Sequence, residues 1–79
     1  IDGSSWVVPS VFRWMAETGN VSADEMLRVF NCGIGMVLVT PEPERVLAEL
    51  EARGESAFQI GEVVRSDEGY ALTAPVSFA

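Results

Sequence analysis

The residues best placed to do chemistry lie together in Phe30-Asn31-Cys32-Gly33-Ile34-Gly35-Met36. Two glycines separated by one apolar residue, with an amide side chain just upstream, suit a turn whose backbone N–H groups approach a bound molecule. Glycine fits because a Cβ would block that approach or forbid a positive φ. Asn31 would add a donor and an acceptor for a polar substrate. The same spacing suits a tight helix-to-strand connection in which the glycines only relieve crowding, and spacing alone favours that plainer reading. The pair also precedes a strand, whereas a dinucleotide-binding fingerprint runs strand, glycine-rich turn, helix. Cys32 lies beside the turn, but a catalytic thiol needs a neighbouring base or cation. The chain has no His, so Cys32 reads as a small buried apolar residue. Asp24 and Glu25 resemble a carboxylate pair, yet both fall in a helix first turn, where acids are favoured anyway. Trp6, Phe12 and Trp14 are able to stack on a flat ligand; their spacing reads as core or interface. Arg13, Arg28 and Arg65 are too scattered for a phosphate clamp, and Gly61 marks a bulge or close backbone approach.

Composition removes whole classes of function. The 79 residues carry twelve carboxylates and five cations, all Arg, for a net charge of −7. Phosphate backbones require clustered cations, so a nucleic-acid partner is excluded. A single Cys closes no internal disulfide, and without His neither a Ser-His-Asp triad nor a Cys/His zinc site can be assembled. With 48% hydrophobic residues, the chain reads as one globular domain or part of one. A signal-peptide pattern is missing. The apolar run around residues 34–39 is far shorter than the ~20 residues a bilayer demands, so no membrane partner is expected. A cytoplasmic location is expected and suits a reduced thiol. A domain this small buries only roughly 60% of its unfolded surface. Since it also opens on Ile1 rather than Met, the chain is expected to be a segment of a longer protein.

The elements that must position the Asn31–Gly35 stretch follow from punctuation. Pro9 precedes a short helix over residues 10–18, with Val11, Phe12, Trp14 and Met15 as a broad apolar stripe ended by Gly19-Asn20. Ser22 and Glu25 form a capping box for a second helix ending near Asn31, with Met26, Leu27 and Phe30 on its buried face. Residues 35–40 are apolar without alternation, as in an interior strand covered on both faces. Pro41 and Pro43 open a helix over residues 44–53, with Val46, Leu47 and Leu50 inward and a Glu49–Arg53 pair outside. Residues 57–64 read as a strand, 66–69 as a turn and 70–73 as the returning arm of a hairpin. The tail, residues 74–79, is expected to fray.

Taken in order, Ser5-Trp6, Pro9-x-x-Phe12-x-Trp14, Gly19-Asn20-Val21, Glu25-Met26-x-Arg28-x-Phe30-Asn31-Cys32-Gly33-Ile34-Gly35-Met36 and Ile60-Gly61 resemble the C-terminal end of the phosphoribosylformylglycinamidine cyclo-ligases, or aminoimidazole ribonucleotide synthetases. The resemblance runs nearly the whole chain and fades after Ser66. It implies an α+β fold, with residues 1–79 forming the last part of a three-layer α/β/α C-terminal domain of partly ferredoxin-like topology. It implies a cytoplasmic homodimeric ligase of purine biosynthesis. In that reaction ATP activates the amide oxygen of formylglycinamidine ribonucleotide, and an amidine nitrogen closes the imidazole ring, giving aminoimidazole ribonucleotide, ADP and phosphate. ATP and Mg²⁺ would be bound mainly by an N-terminal domain that this chain lacks, so its first partner would be the rest of its own polypeptide. Asn31, Gly33 and Gly35 occupy the family's Asn-x-Gly-x-Gly positions and would line the cleft between domains as substrate-binding residues. No catalytic residue and no metal ligand is assigned. Related ATP-dependent enzymes (formylglycinamidine synthetase, the selenophosphate and thiamine-phosphate enzymes) share the architecture but not the Phe-Asn-x-Gly-Ile-Gly-Met spelling. A non-catalytic small-molecule-binding or dimerisation module of α/β type is the alternative.

Overall fold

The computed structural model describes residues 1–79 and contains three helices: α1, Ser10–Thr18; α2, Ala23–Val29; and α3, Pro43–Ala52. Each begins where local chemistry allows. Pro9 and Pro43 supply a preset φ and no N–H at a helix start, where the N–H would be unbonded anyway. At α2 the Ser22 hydroxyl accepts from the Glu25 amide at 3.3 Å, one half of the capping box. The other half is not made, because the Glu25 carboxylate turns along the helix to Arg28. α2 stops at Val29, two residues before Asn31.

The core lies where α1 meets α2. Met26 is fully buried, with Ala16 and Cys32 beside it. Phe12, Met15, Val21, Leu27 and Phe30 close around them, and the Phe12 and Phe30 rings sit tilted with centroids 6.2 Å apart. Burying a Met side chain in such a cluster is worth about 1.5–3 kcal/mol. The stripe expected on α1 is therefore narrower than its sequence suggests. Phe12, Met15 and Ala16 face inward, while Val11 and Trp14 are 54% and 63% exposed. On α3, Val46, Leu47 and Leu50 share one face but are only half-buried, and α3 packs against neither of the other helices.

The expected strands are not built. Residues 35–40 and 57–64 form no ladder, and no backbone bond joins 57–64 to 70–73, so the hairpin is absent. The one bridge is an isolated parallel pairing of Asp2 with Ala74. Around it the first three residues thread between two other segments. The Asp2 amide donates to the Ile60 carbonyl at 2.7 Å, the Gly3 amide to the Ala74 carbonyl at 3.0 Å, and the Thr73 amide to the Ile1 carbonyl at 2.8 Å. The tail does not fray as expected. Val76 is buried, and Phe78 packs on the helical core. Physically, a strand needs a partner for every N–H and C=O, and the only partners present here serve residues 1–3.

Candidate functional site

The Asn31–Gly35 stretch is a tight turn. The Ile34 amide donates to the Asn31 carbonyl at 3.0 Å, and the two central residues, Cys32 and Gly33, have φ of 53° and 101°. Two successive positive φ values are what a type I′ turn demands. Gly33 meets that demand without strain, whereas Cys32 adopts it as a non-glycine residue. Two long-range contacts hold the turn. The Trp6 indole Nε1 donates to the Cys32 carbonyl at 3.1 Å. The Pro9 ring presses on Gly33 so closely that a Cβ there would lie 2.5 Å from Pro9 Cδ.

The three residues expected to bind substrate have different environments. The Asn31 side-chain oxygen accepts from the Gly33 amide at 2.9 Å, so its acceptor is spent on its own turn and its NH₂ group is left for other use. Gly33 satisfies both reasons for glycine, the positive φ and the close approach. Gly35 satisfies neither: its φ is not positive, and a Cβ would meet nothing within 4 Å. Asn31, Gly33 and Gly35 are all exposed, and none lines either of the two most prominent recesses of the surface.

No reactive side chain accompanies the turn. Cys32 is 1% exposed, its Sγ donates to the Met26 carbonyl at 3.6 Å, and burial raises its pKa, so the thiol stays protonated and inert. Glu25 is held below its ordinary pKa by the Arg28 guanidinium, and Arg28 is raised in turn. Asp24 and Glu25 thus act at a helix start, not as an acid–base pair. No group of three or more His, Cys, Asp or Glu side chains converges anywhere in the chain. The residues present do not form a Mg²⁺ site, and no step through the ion is derived from them.

Two features escaped the sequence pattern. Asp2 folds its carboxylate back onto Ser4, accepting from the hydroxyl at 2.6 Å and the amide at 2.9 Å, and these bonds lower its pKa. The signal was the Asp-Gly-Ser-Ser run, a common side-chain-to-backbone turn. Arg13 has no ion-pair partner and borders both recesses. Nothing in its sequence neighbourhood announces this, because Glu17, one helical turn away, would ordinarily pair with it.

Residues 1–73 match the family model described as AIR synthase related protein, C-terminal domain. No solved structure matches the chain. No helix is long and apolar enough to cross a membrane.

Proposed function

The chain belongs to the AIR synthase related family, a family of ATP-dependent ligases and kinases, and from that membership we propose that it is the closing part of the C-terminal domain of a phosphoribosylformylglycinamidine cyclo-ligase. The observation that carries the finer reading is the Phe30–Met36 spelling, folded as a type I′ turn pinned by Trp6 and Pro9 and exposed to solvent. In this reading the turn forms part of one wall of a cleft whose other wall belongs to the nucleotide-binding domain of the same polypeptide. The free NH₂ of Asn31 and the backbone at Gly33 and Gly35 contact the substrate. The chain itself contributes positioning. Phosphoryl transfer needs orientation and charge neutralisation more than a protein nucleophile, which is consistent with a turn carrying no reactive side chain.

The fold proposed for the whole domain is three-layered, with residues 35–40 and 57–64 as strands completed by segments outside this chain. The enzyme works as a cytoplasmic homodimer, with ATP and Mg²⁺ held mainly by the other domain. The test is to express the full reading frame containing this chain and, separately, the 79-residue chain. Each is then incubated with formylglycinamidine ribonucleotide and ATP, and aminoimidazole ribonucleotide and ADP are quantified. Ring closure by the full frame and none by the isolated chain is the expected pair of results. A full frame that turns over ATP with a different acceptor, such as selenide or thiamine phosphate, would move the protein elsewhere in the family. A full frame with no nucleotide-dependent activity would leave the binding-module reading in its place.

A further inference from the structure

Three of the five arginines are neutralised on their own helices: Arg28 by Glu25, Arg45 by Glu42 and Arg53 by Glu49, all on exposed faces. Arg13 is different. It has Glu17 one turn ahead on α1 yet forms no ion pair. Its Nη1 donates to the backbone carbonyl of Ala79 at 3.2 Å, and its Nε is enclosed with no acceptor at all. The guanidinium stands between two recesses. The larger, about 720 Å³, is walled by Trp14, Val21 and Phe78 with Ser10 at its edge. The smaller, about 280 Å³, is walled by Trp6 and Val8 with the hydroxyl-bearing Ser4 and Ser77. In a chain of net charge −7, this is the one cation set into a concavity.

An enclosed N–H without an acceptor is destabilising, and a guanidinium without a carboxylate leaves its fork geometry unused. Ala79 supplies one neutral oxygen where two anionic ones would fit. Beside it, the indole of Trp14 is 63% exposed, an unusual cost for a large apolar ring unless something flat covers it. We infer that Arg13 and Trp14 form a binding site for a small aromatic carboxylate. Its two oxygens engage the Nε and Nη2 edge, its ring lies on the Trp14 indole, and its entry displaces the tail from Arg13. The site is separate from the Asn31–Gly35 turn and does not depend on the cyclo-ligase reading.

The test uses benzoate as probe, titrated into the 79-residue chain at low ionic strength with Trp fluorescence and amide chemical shifts as readouts. Acetate supplies the anion without the ring, and benzamide the ring without the charge. Saturable benzoate binding is expected, with shifts at Trp14 and at the Phe78 and Ala79 amides, and affinity at least tenfold above that of acetate or benzamide. Arg13→Gln should weaken benzoate at least tenfold, and Arg13→Lys by less. Trp14→Ala should bring benzoate down to the affinity of acetate. Circular dichroism confirms that each variant keeps its helices. Benzoate binding unchanged in Arg13→Gln, equal affinity for benzamide, or shifts confined to residues away from Trp14 and the tail would overturn the proposal.

Discussion

At the scale of single residues, the two glycines of the turn separate cleanly. Gly33 sits at φ 101° with the Pro9 ring against it, so any side chain there is both strained and obstructed. Gly33→Ala should cost about 1–3 kcal/mol for the backbone conformation alone, lowering the midpoint of a thermal melt by roughly 4–8 °C per kcal/mol in a domain of this size. Gly35→Ala meets open space and should leave the melt unchanged. If it also leaves ring closure by the full-length protein unchanged, Gly35 does not line the cleft. Equal melts for the two variants would show that the turn is not pinned. The spacing Gly-x-Gly could not distinguish the pair, because which residue takes positive φ depends on where the hydrogen bond closes. Cys32 was legible: without a base its thiol had no use but packing. Its burial and raised pKa predict very slow reaction with a disulfide reagent in buffer and rapid reaction in urea. Fast labelling of the native chain would mean that the α1–α2 core opens readily.

At the scale of elements, the helices could be read from the sequence and the strands could not, for one physical reason. A helix bonds to itself, so Pro9, the Ser22–Glu25 box and Pro43 were sufficient to place all three starts to within a residue or two. A strand is completed by whatever lies beside it, and apolar composition at residues 35–40 and 57–64 does not say what that is. The segment that did find partners, residues 1–3, carried no strand pattern. It is admitted by Gly3, where a Cβ would lie 2.6 Å from the backbone of residues 74–76. Gly3→Ala should therefore unseat the tail and raise hydrogen exchange at the Gly3 amide, whose acceptor is Ala74; unchanged exchange would mean that the tail docks by Val76 and Phe78 alone. Asp2 adds a pH term to the same junction. Its folded pKa is depressed by the Ser4 bonds, so its stabilisation is present above the unfolded value of about 3.9 and is lost as pH falls through the lower folded value. Asp2→Ala should melt earlier than the parent at pH 7, with the gap closing below pH 4. A gap that persists at low pH would assign the effect to the turn's shape rather than to the charge.

At the scale of the whole molecule, surface is the dominant fact. A folded monomer of 8.5 kDa exposes about 4,700 Å² on average, and this chain exposes 6,315 Å². Its radius of gyration is 13.9 Å, against about 11.6 Å for a compact chain of this length. The surplus, roughly 1,600 Å² relative to that expectation, is about twice what one partner contributes to a standard protein interface. Much of it is apolar: Met36, Val37, Leu38 and Val39 are 81%, 59%, 56% and 77% exposed, and Val63 and Val64 are 78% and 71% exposed. The backbone of residues 35–40 makes no hydrogen bond to other backbone, so both side-chain faces and both edges are open at once. In the proposed three-layer domain this segment is the interior strand, and a single substitution reads out the difference. In the isolated chain Leu38→Lys should reduce binding of an apolar dye and self-association while leaving the helical circular dichroism intact, because Leu38 supports nothing there. In the full-length protein the same change would place an unpaired ammonium between covered layers, a cost of several kcal/mol, and should abolish soluble expression or ring closure. A full-length Leu38→Lys variant that folds and turns over normally would mean that residues 35–40 stay on the surface, and the three-layer arrangement would have to be abandoned.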